Sequence, residues 1–290
     1  MQLAQGRPLG IRVHRILTRG ITYLLIIGGS FSISLPFLWM VSTSLKEIKE
    51  VFEVPPQWIP DPPIWRNYVD GWLTLPFDLF LRNSIFITIT CTIGHVLAAS
   101  FVAFGFARLR APGRDLFFAL VLASMMLPRQ VTMIPTYMLF RSIGWVDTFK
   151  PLTVPPFLGG GPFNIFLLRQ FMIGIPRELD DAAKIDGCSN FGIFFRLALP
   201  LSRPALAAVA IFSFRAHWQD FMGPLIYLSS DKYTLALGLR YFMVQSGSGG
   251  LTMWNHLMAV SVIIMMPMLL VYFVAQKYFI QGVVVTGVKG

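Results

Sequence analysis

The chain has 290 residues, 55% of them hydrophobic and only 13% charged, with 20 prolines, 24 glycines and a mean hydropathy of +0.63. Soluble domains carry about 25% charged residues, so this composition excludes an ordinary soluble domain and indicates a chain embedded in lipid. The net charge of +10 does not point to nucleic acid, because the basic residues stand at the ends of apolar stretches, where membrane topology puts them.

A bilayer core takes about 20 predominantly apolar residues per helix. Six segments reach or approach that length: 17–42, 80–107, 115–140, 151–173, 204–228 and 252–280. None shows the period-two alternation of a transmembrane barrel. The first follows Arg7, Arg12, Arg15 and Arg19 and is too long for a secretory-signal core of about 7–15 residues, so it is expected to be an uncleaved helix. The stretch 43–79 contains "VPPQWIPDPPIW" and six carboxylates, which predicts an aqueous loop with extended, proline-stiffened pieces. Arg108, Arg110, Arg114, Arg169, Arg177, Lys184, Arg196, Arg203, Lys277 and Lys289 fall on the side of the N-terminus, against fewer on the other side, among them Lys46, Lys49 and Arg66. That bias predicts both termini in the cytoplasm.

Between the fourth and fifth spans lies "PRELDDAAKIDG", residues 176–187, with six charged side chains in a chain that otherwise avoids them. Pro176 suits the first position of a helix, and Glu178, Asp180 and Asp181 suit its first turn, where the helix dipole favours carboxylates. Gly187 supplies a stop, so a short helix is expected over 176–186. At helical spacing Ile175, Leu179, Ala182 and Ala183 share one face, and the adjacent alanines offer a shallow notch to another protein surface. The residues by themselves also suit an amphipathic connector resting on lipid headgroups.

The longer string "ELDDAAKIDGCSNFGIFFRLALPLSRPALA" resembles the EAA loop of permease subunits of ABC importers, in which E-A-A is followed after three residues by G, after nine more by I, and then by x-L-P. Asp181, Ala182 and Ala183 are followed at that spacing by Gly187, Leu197, Leu199 and Pro200. Asp181 stands where the pattern has Glu and Leu197 where it has Ile. "FGFARLRAPGR", "PFNIFLLRQFMIGIPRELDDAAKIDG", "FRAHWQDFMGPL" and the ending "VVVTGVKG" extend the resemblance over essentially the whole chain, toward carbohydrate importers of the kind that includes the smaller permease of the maltose transporter.

The resemblance implies an all-α membrane protein with six transmembrane helices and the type I importer fold with its MetI-like core. Residues 1–79 would be the N-terminus, first helix and outer loop, and 80–290 a five-helix core with the coupling loop at 174–203 and a C-terminal tail. Glu178, Asp181, Ala182, Ala183, Gly187, Leu197 and Pro200 would couple to an ATPase. The implied partners are a second permease in a heterodimer, two copies of an ABC ATPase holding ATP and Mg²⁺, an extracytoplasmic sugar-binding protein and the lipid of a bacterial or archaeal cytoplasmic membrane. No cofactor is expected on this chain.

Ionisable groups inside spans are costly and face a wet cavity or another helix. "FRAHWQDF" in the fifth span is the richest such cluster. Trp218, Gln219 and Asp220 suit a sugar path, by stacking and by hydrogen bonds to hydroxyls; they equally suit helix packing. Arg129 and Gln130 after Pro128, and Asn164 behind "GGGPF", are further candidates. The stretch 229–250, ending "QSGSGG", reads as a flexible outer loop, either a connector or, by the resemblance, a probe of a docked binding protein. The tail "VVVTGVKG" is either frayed or in contact with the ATPases. No G-x-x-x-x-G-K-[ST], H-E-x-x-H or G-x-S-x-G occurs, so neither nucleotide hydrolysis nor other catalysis is expected on this chain. His14, His95, His217 and His256 are far apart in sequence, and Cys91 and Cys188 lack ligand-like spacing, so neither a metal site nor a disulfide is expected.

Overall fold

The computed structural model describes residues 9–247 and 253–287, with side chains placed over 17–245 and 253–276. Among these residues all regular structure is helical. The helices are α1 (Leu9–Ser44), α2 (Arg66–Leu73), α3 (Phe77–Arg108), α4 (Arg114–Ser124), α5 (Arg129–Ser142), α6 (Lys150–Thr153), α7 (Pro155–Gly159), α8 (Pro162–Ile173), α9 (Glu178–Ile185), α10 (Asn190–Ile193), α11 (Leu199–Leu201), α12 (Arg203–Trp218), α13 (Met222–Tyr227), α14 (Leu235–Gly247) and α15 (Trp254–Gly287). A single π-helical turn, Phe194–Ala198, joins α10 to α11.

Among the described residues three helical stretches are long and apolar enough to cross a membrane: Leu17–Ser44, Phe77–Arg108 and Trp254–Gln276. Two bent pairs meet the same measure, α4 with α5 at 99° and Asn190–Leu201 with α12 at 77°. The fourth expected span, 151–173, is not one helix. Pro155 starts a new helix after Thr153, and Gly160 and Gly161 break the chain again before Pro162. Proline removes the amide a continuous helix needs, and this sequence places it repeatedly at such starts. The fifth expected span, 204–228, ends its first helix at Trp218 and resumes as α13.

The chain divides into two units, 1–71 with 252–262, and 72–251 with 263–290. In the first, α1 is exposed along 17–34, as a helix facing lipid or a partner would be. The loop after it is more tightly held than an aqueous loop. Asn67 donates to the carbonyls of Ser44 and Lys46 at 2.9 and 2.8 Å, and Asn255 donates to the Lys46 carbonyl at 3.2 Å. The Lys46 side chain is fully buried, with its ammonium 4.1 Å from the Trp39 ring centroid; burial pushes its pKa down, against the opposing pull of Glu50.

The second unit is built around α3, which has no internal proline and runs unbroken for 32 residues. Its lower half packs Ala99, Ala103, Phe104 and Ala107 against Leu168 and Met172 of α8, Phe194 of the π turn and Val209 of α12. Two close approaches fix α3 against the broken segment. A Cβ on Gly160, where φ is +64°, would lie 2.4 Å from the Ala99 nitrogen, and one on Gly94 would meet the Phe157 ring at 2.7 Å. The stretch 229–250 is not a flexible loop where it is described. A turn at Ser230–Lys232 leads into α14, which buries Leu235, Leu237 and Phe242, because its apolar residues outweigh its short polar end. Residues 248–252, which include the final glycines of "QSGSGG", lie outside the described residues, as do the side chains of the tail and its last three residues.

Candidate functional site

The charged segment forms α9, beginning two residues after Pro176. The amides of Asp180 and Asp181 bond the Arg177 carbonyl, and Gly187 closes the helix at φ +81°. An L side chain costs about 1–2 kcal/mol in this left-handed conformation. The amides of Gly187 and Cys188 bond the carbonyls of Lys184 and Ala183 at 3.0 and 2.8 Å, satisfying the end of the helix.

The orientation of α9 departs from the face read off the sequence. Ala183 turns inward and packs on the core, whereas Ala182 is exposed. Leu179 and Ile185 also point outward, at 43% and 87% exposure. Inward on the same helix points Asp180, whose side chain is 13% exposed and lies 3.3 Å from Arg108, itself 4% exposed. The helix is therefore inverted: an ion pair faces the protein and the strip Leu179, Ala182, Ile185 faces out, flanked by Glu178, Asp181 and Lys184. Phe191 and Phe195 extend the exposed apolar surface beyond Gly187. Leu197 packs half-buried on the core and Pro200 is half-buried in α11, so these two support the loop rather than its outer surface. Asp180 was not legible as a site residue, since its first-turn position already had an explanation in the helix dipole.

The second feature is a cavity of about 760 Å³, with α5, the broken α6–α8 segment and the α12–α13 junction in its walls. Gln130 and Asp220 line it. Asp220 accepts the Gly223 amide at 3.2 Å through one carboxylate oxygen, and its other oxygen lies 3.4 Å from Arg129. The remaining candidates lie elsewhere. Trp218 is 5% exposed, donates to the Ile264 carbonyl at 3.1 Å and stacks on Phe214, which is a helix-packing role. Asn164 is buried and donates to the Gly160 carbonyl at 3.0 Å, closing the break before α8. Gln219 is exposed at the end of α12, outside the cavity lining.

The cavity also brings His217, of the "FRAHWQDF" cluster, against a residue that sequence reasoning passed over. His95 of α3 and His217 of α12, 122 positions apart, meet at 3.2 Å between ring nitrogens with their rings stacked. Phe140 and Tyr227 supply the aromatic surface that the sequence assigned to Trp218, and Thr132 and Thr136 add hydroxyls. The signal for His95 was its position in the middle of an apolar span; its partner was not visible without the fold. The wall thus combines aromatic faces, hydroxyls, an imidazole pair and an adjacent cation and anion, groups suited to stacking and hydrogen bonding. Among the described residues no three histidine, cysteine or carboxylate side chains gather as a metal site, and both cysteines are free.

At the opposite end of α5 from Arg129, Asp147 accepts hydrogen bonds from the Ser229 amide and hydroxyl and lies 3.0 Å from Lys232. These donors, the Ser229 hydroxyl foremost, hold the Asp147 carboxyl down at about 2.

A continuous helix with a histidine on a cavity wall, broken helices beside it and a capped helix that exposes an apolar strip have the form of the membrane component of a transporter. Residues 95–285 match the family of binding-protein-dependent transport system inner membrane components, and the chain belongs to that family, with the MetI-like permease fold. It is 33% identical over 270 residues to the sn-glycerol-3-phosphate transport system permease protein UgpE of Pectobacterium atrosepticum, covering 91% of this chain and 95% of that one. It is 37% identical over 209 residues to the arabinooligosaccharides transport system permease protein AraQ of Halalkalibacterium halodurans, covering 72% and 73%. A chain in the crystal structure of a bacterial ABC transporter that imports the acidic polysaccharide alginate shares the fold with a TM-score of 0.79 at 21% identity, covering 95% of this chain and all of that one.

Proposed function

We propose that this chain is one of two permeases in an ATP-driven importer of a sugar of the di- or oligosaccharide class, supplying half of the translocation path. A separate ABC ATPase, present in two copies, would bind and hydrolyse ATP with Mg²⁺, and this chain would carry no catalysis. A sugar-binding protein outside the membrane would deliver the cargo. The six apolar segments make six crossings, with 151–173 crossing as a broken helix, and the distribution of Lys and Arg puts both termini in the cytoplasm.

The observation that carries the reading is the inverted α9. A helix that buries an ion pair and exposes Leu179, Ala182 and Ile185 is built for a surface that covers it. A membrane surface is the weaker candidate, because interfacial helices are rich in Lys and Arg on their polar face, whereas 176–187 has four carboxylates against Arg177 and Lys184. The sugar class rests on the arabinooligosaccharide permease among its relatives and on the stacking and hydroxyl-bonding groups of the cavity. Gln130 and Asp220 are the proposed cargo contacts, joined by Arg129, His95, His217 and Tyr227.

ATP and the loaded binding protein must each favour one conformation over the other, since a ligand of equal affinity for both shifts nothing. Purification of the tagged chain from its native membrane tests the assembly: a P-loop ATPase and a second permease are expected at stoichiometric level. A stable homo-oligomer without an ATPase would overturn the reading in favour of a transporter working alone on an ion gradient.

A further inference from the structure

The coupling loop joins the membrane part of the chain covalently through two turns, at 174–177 and at Gly187. A third connection is made by side chains. Arg108, the last residue of α3, places one guanidinium nitrogen 3.3 Å from Asp180 in the first turn of α9, and a second nitrogen donates to the Ile175 carbonyl at 2.8 Å. One rigid, planar fork therefore holds the chain on both sides of the entrance to α9. The pair is almost fully buried, so separating it leaves a charge unpaired in a low-dielectric site. The fork makes the end of α3 and the entrance to α9 one structural unit.

What lies at the other end of that unit is the cavity. The helix α3 continues without a break, and His95 stands on the cavity wall 13 residues before Arg108, about 20 Å along the axis at 1.5 Å per residue. Between them Ala99 is in near backbone contact with Gly160, and Gly94, one residue before His95, lies against Phe157, so a shift of α3 presses directly on the broken segment that forms another wall.

We propose that Arg108 is the positioning residue that carries displacement of α9 into α3, and through α3 into the His95 side of the cavity. Coupling thus runs through the second crossing as well as through the fourth and fifth to which the loop is covalently joined. The inference rests on the reading of α9 as the ATPase-docking helix. Arg108 itself touches neither ATPase nor cargo; it acts through Asp180 and the Ile175 carbonyl.

The test uses the whole complex purified from the native membrane, with Thr132→Cys on the cavity wall as a reporter. Alkylation of that cysteine by a charged maleimide, read by peptide mass spectrometry, is compared without nucleotide and after trapping with MgATP and orthovanadate. Otherwise unsubstituted, the complex should change its alkylation rate by about fivefold or more, the lower end of the usual coupling range. Arg108→Gln and Asp180→Asn should retain the ATPase in the complex while the nucleotide effect falls below about twofold. The double exchange Arg108→Asp with Asp180→Arg should recover a substantial part of it, which a purely structural loss would not show.

Should Arg108→Gln fail to accumulate, Asp180→Asn carries the same reading, since it leaves α3 intact. A full nucleotide effect with the ATPase bound in either variant overturns the role of Arg108 and leaves the docking assignment standing. Absence of an ATPase from the unsubstituted complex overturns the docking assignment, and this inference with it.

Discussion

Replacing Gly160 by alanine tests whether the break in the fourth crossing is fixed by contact with α3. Gly160 has φ +64°, and an added Cβ would lie 2.4 and 2.7 Å from the nitrogen and Cα of Ala99. Both are helix backbone atoms, so neither can step aside without bending α3. A left-handed L residue costs about 1–2 kcal/mol, and overpacking a well-filled site costs about 1–3 kcal/mol, giving a loss of roughly 2–5 kcal/mol. Gly105→Ala is the control. It lies inside α3 with nothing within 4 Å of the added Cβ, and alanine gains about 0.5–1 kcal/mol over glycine there. At about 2–4 °C per kcal/mol for larger domains, the two variants should melt roughly 5–20 °C apart by differential scanning fluorimetry of the purified complex. Melting of Gly160→Ala within about 2 °C of the control would refute the reasoning.

Trp218→Phe should lose the bond to the Ile264 carbonyl while keeping the stack on Phe214, lowering stability by about 1 kcal/mol; uptake assays should show cargo affinity unchanged. Asp220→Asn should weaken the Arg129 contact at the cavity and lower uptake, with the ATPase still co-purifying in full. For Asp147 the sign is set by its depressed pKa: its contribution is complete above the ordinary value of 3.8 and is lost only as pH falls through about 2. Protection of the Ser229 amide against hydrogen exchange, corrected for intrinsic rate, should therefore be constant from pH 5 to 8 and be lost in Asp147→Ala at all of them.

The all-helical class and the first, second and last crossings follow from apolar length alone, which is why they were legible before any coordinates. The fourth was not, because hydropathy does not register that Pro155, Gly160 and Pro162 interrupt a run as apolar as its neighbours. The stretch after Tyr233 misled in the other direction: its polar end suggested a loop, while Leu235, Leu237 and Phe242 had enough apolar surface to dock a helix. At the coupling loop, the sequence located a short helix and grouped Leu179, Ala182 and Ala183 on one face, whereas the structure exposes Leu179 and Ala182 and turns Ala183 onto the core. The split was not legible because the buried pair of Arg108 and Asp180, which sets the rotation of the helix, joins residues 72 positions apart. The cavity was half legible: Gln130 and Asp220 line it, while Trp218 and Asn164 hold helices together, and the pairing of His95 with His217 depends on two helices that only the fold brings side by side.

The most direct test of the account is the amount of ATPase retained per tagged chain when the outward face of α9 is charged. Ala182→Glu and Ile185→Glu, both at exposed positions, should leave the chain folded and bound to the second permease but strip away the ATPase, whereas Ala183→Glu, at a position packed on the core, should lower the amount of folded chain itself. Full retention of the ATPase in Ala182→Glu and Ile185→Glu would contradict the claim that this face is where ATP hydrolysis is coupled to transport.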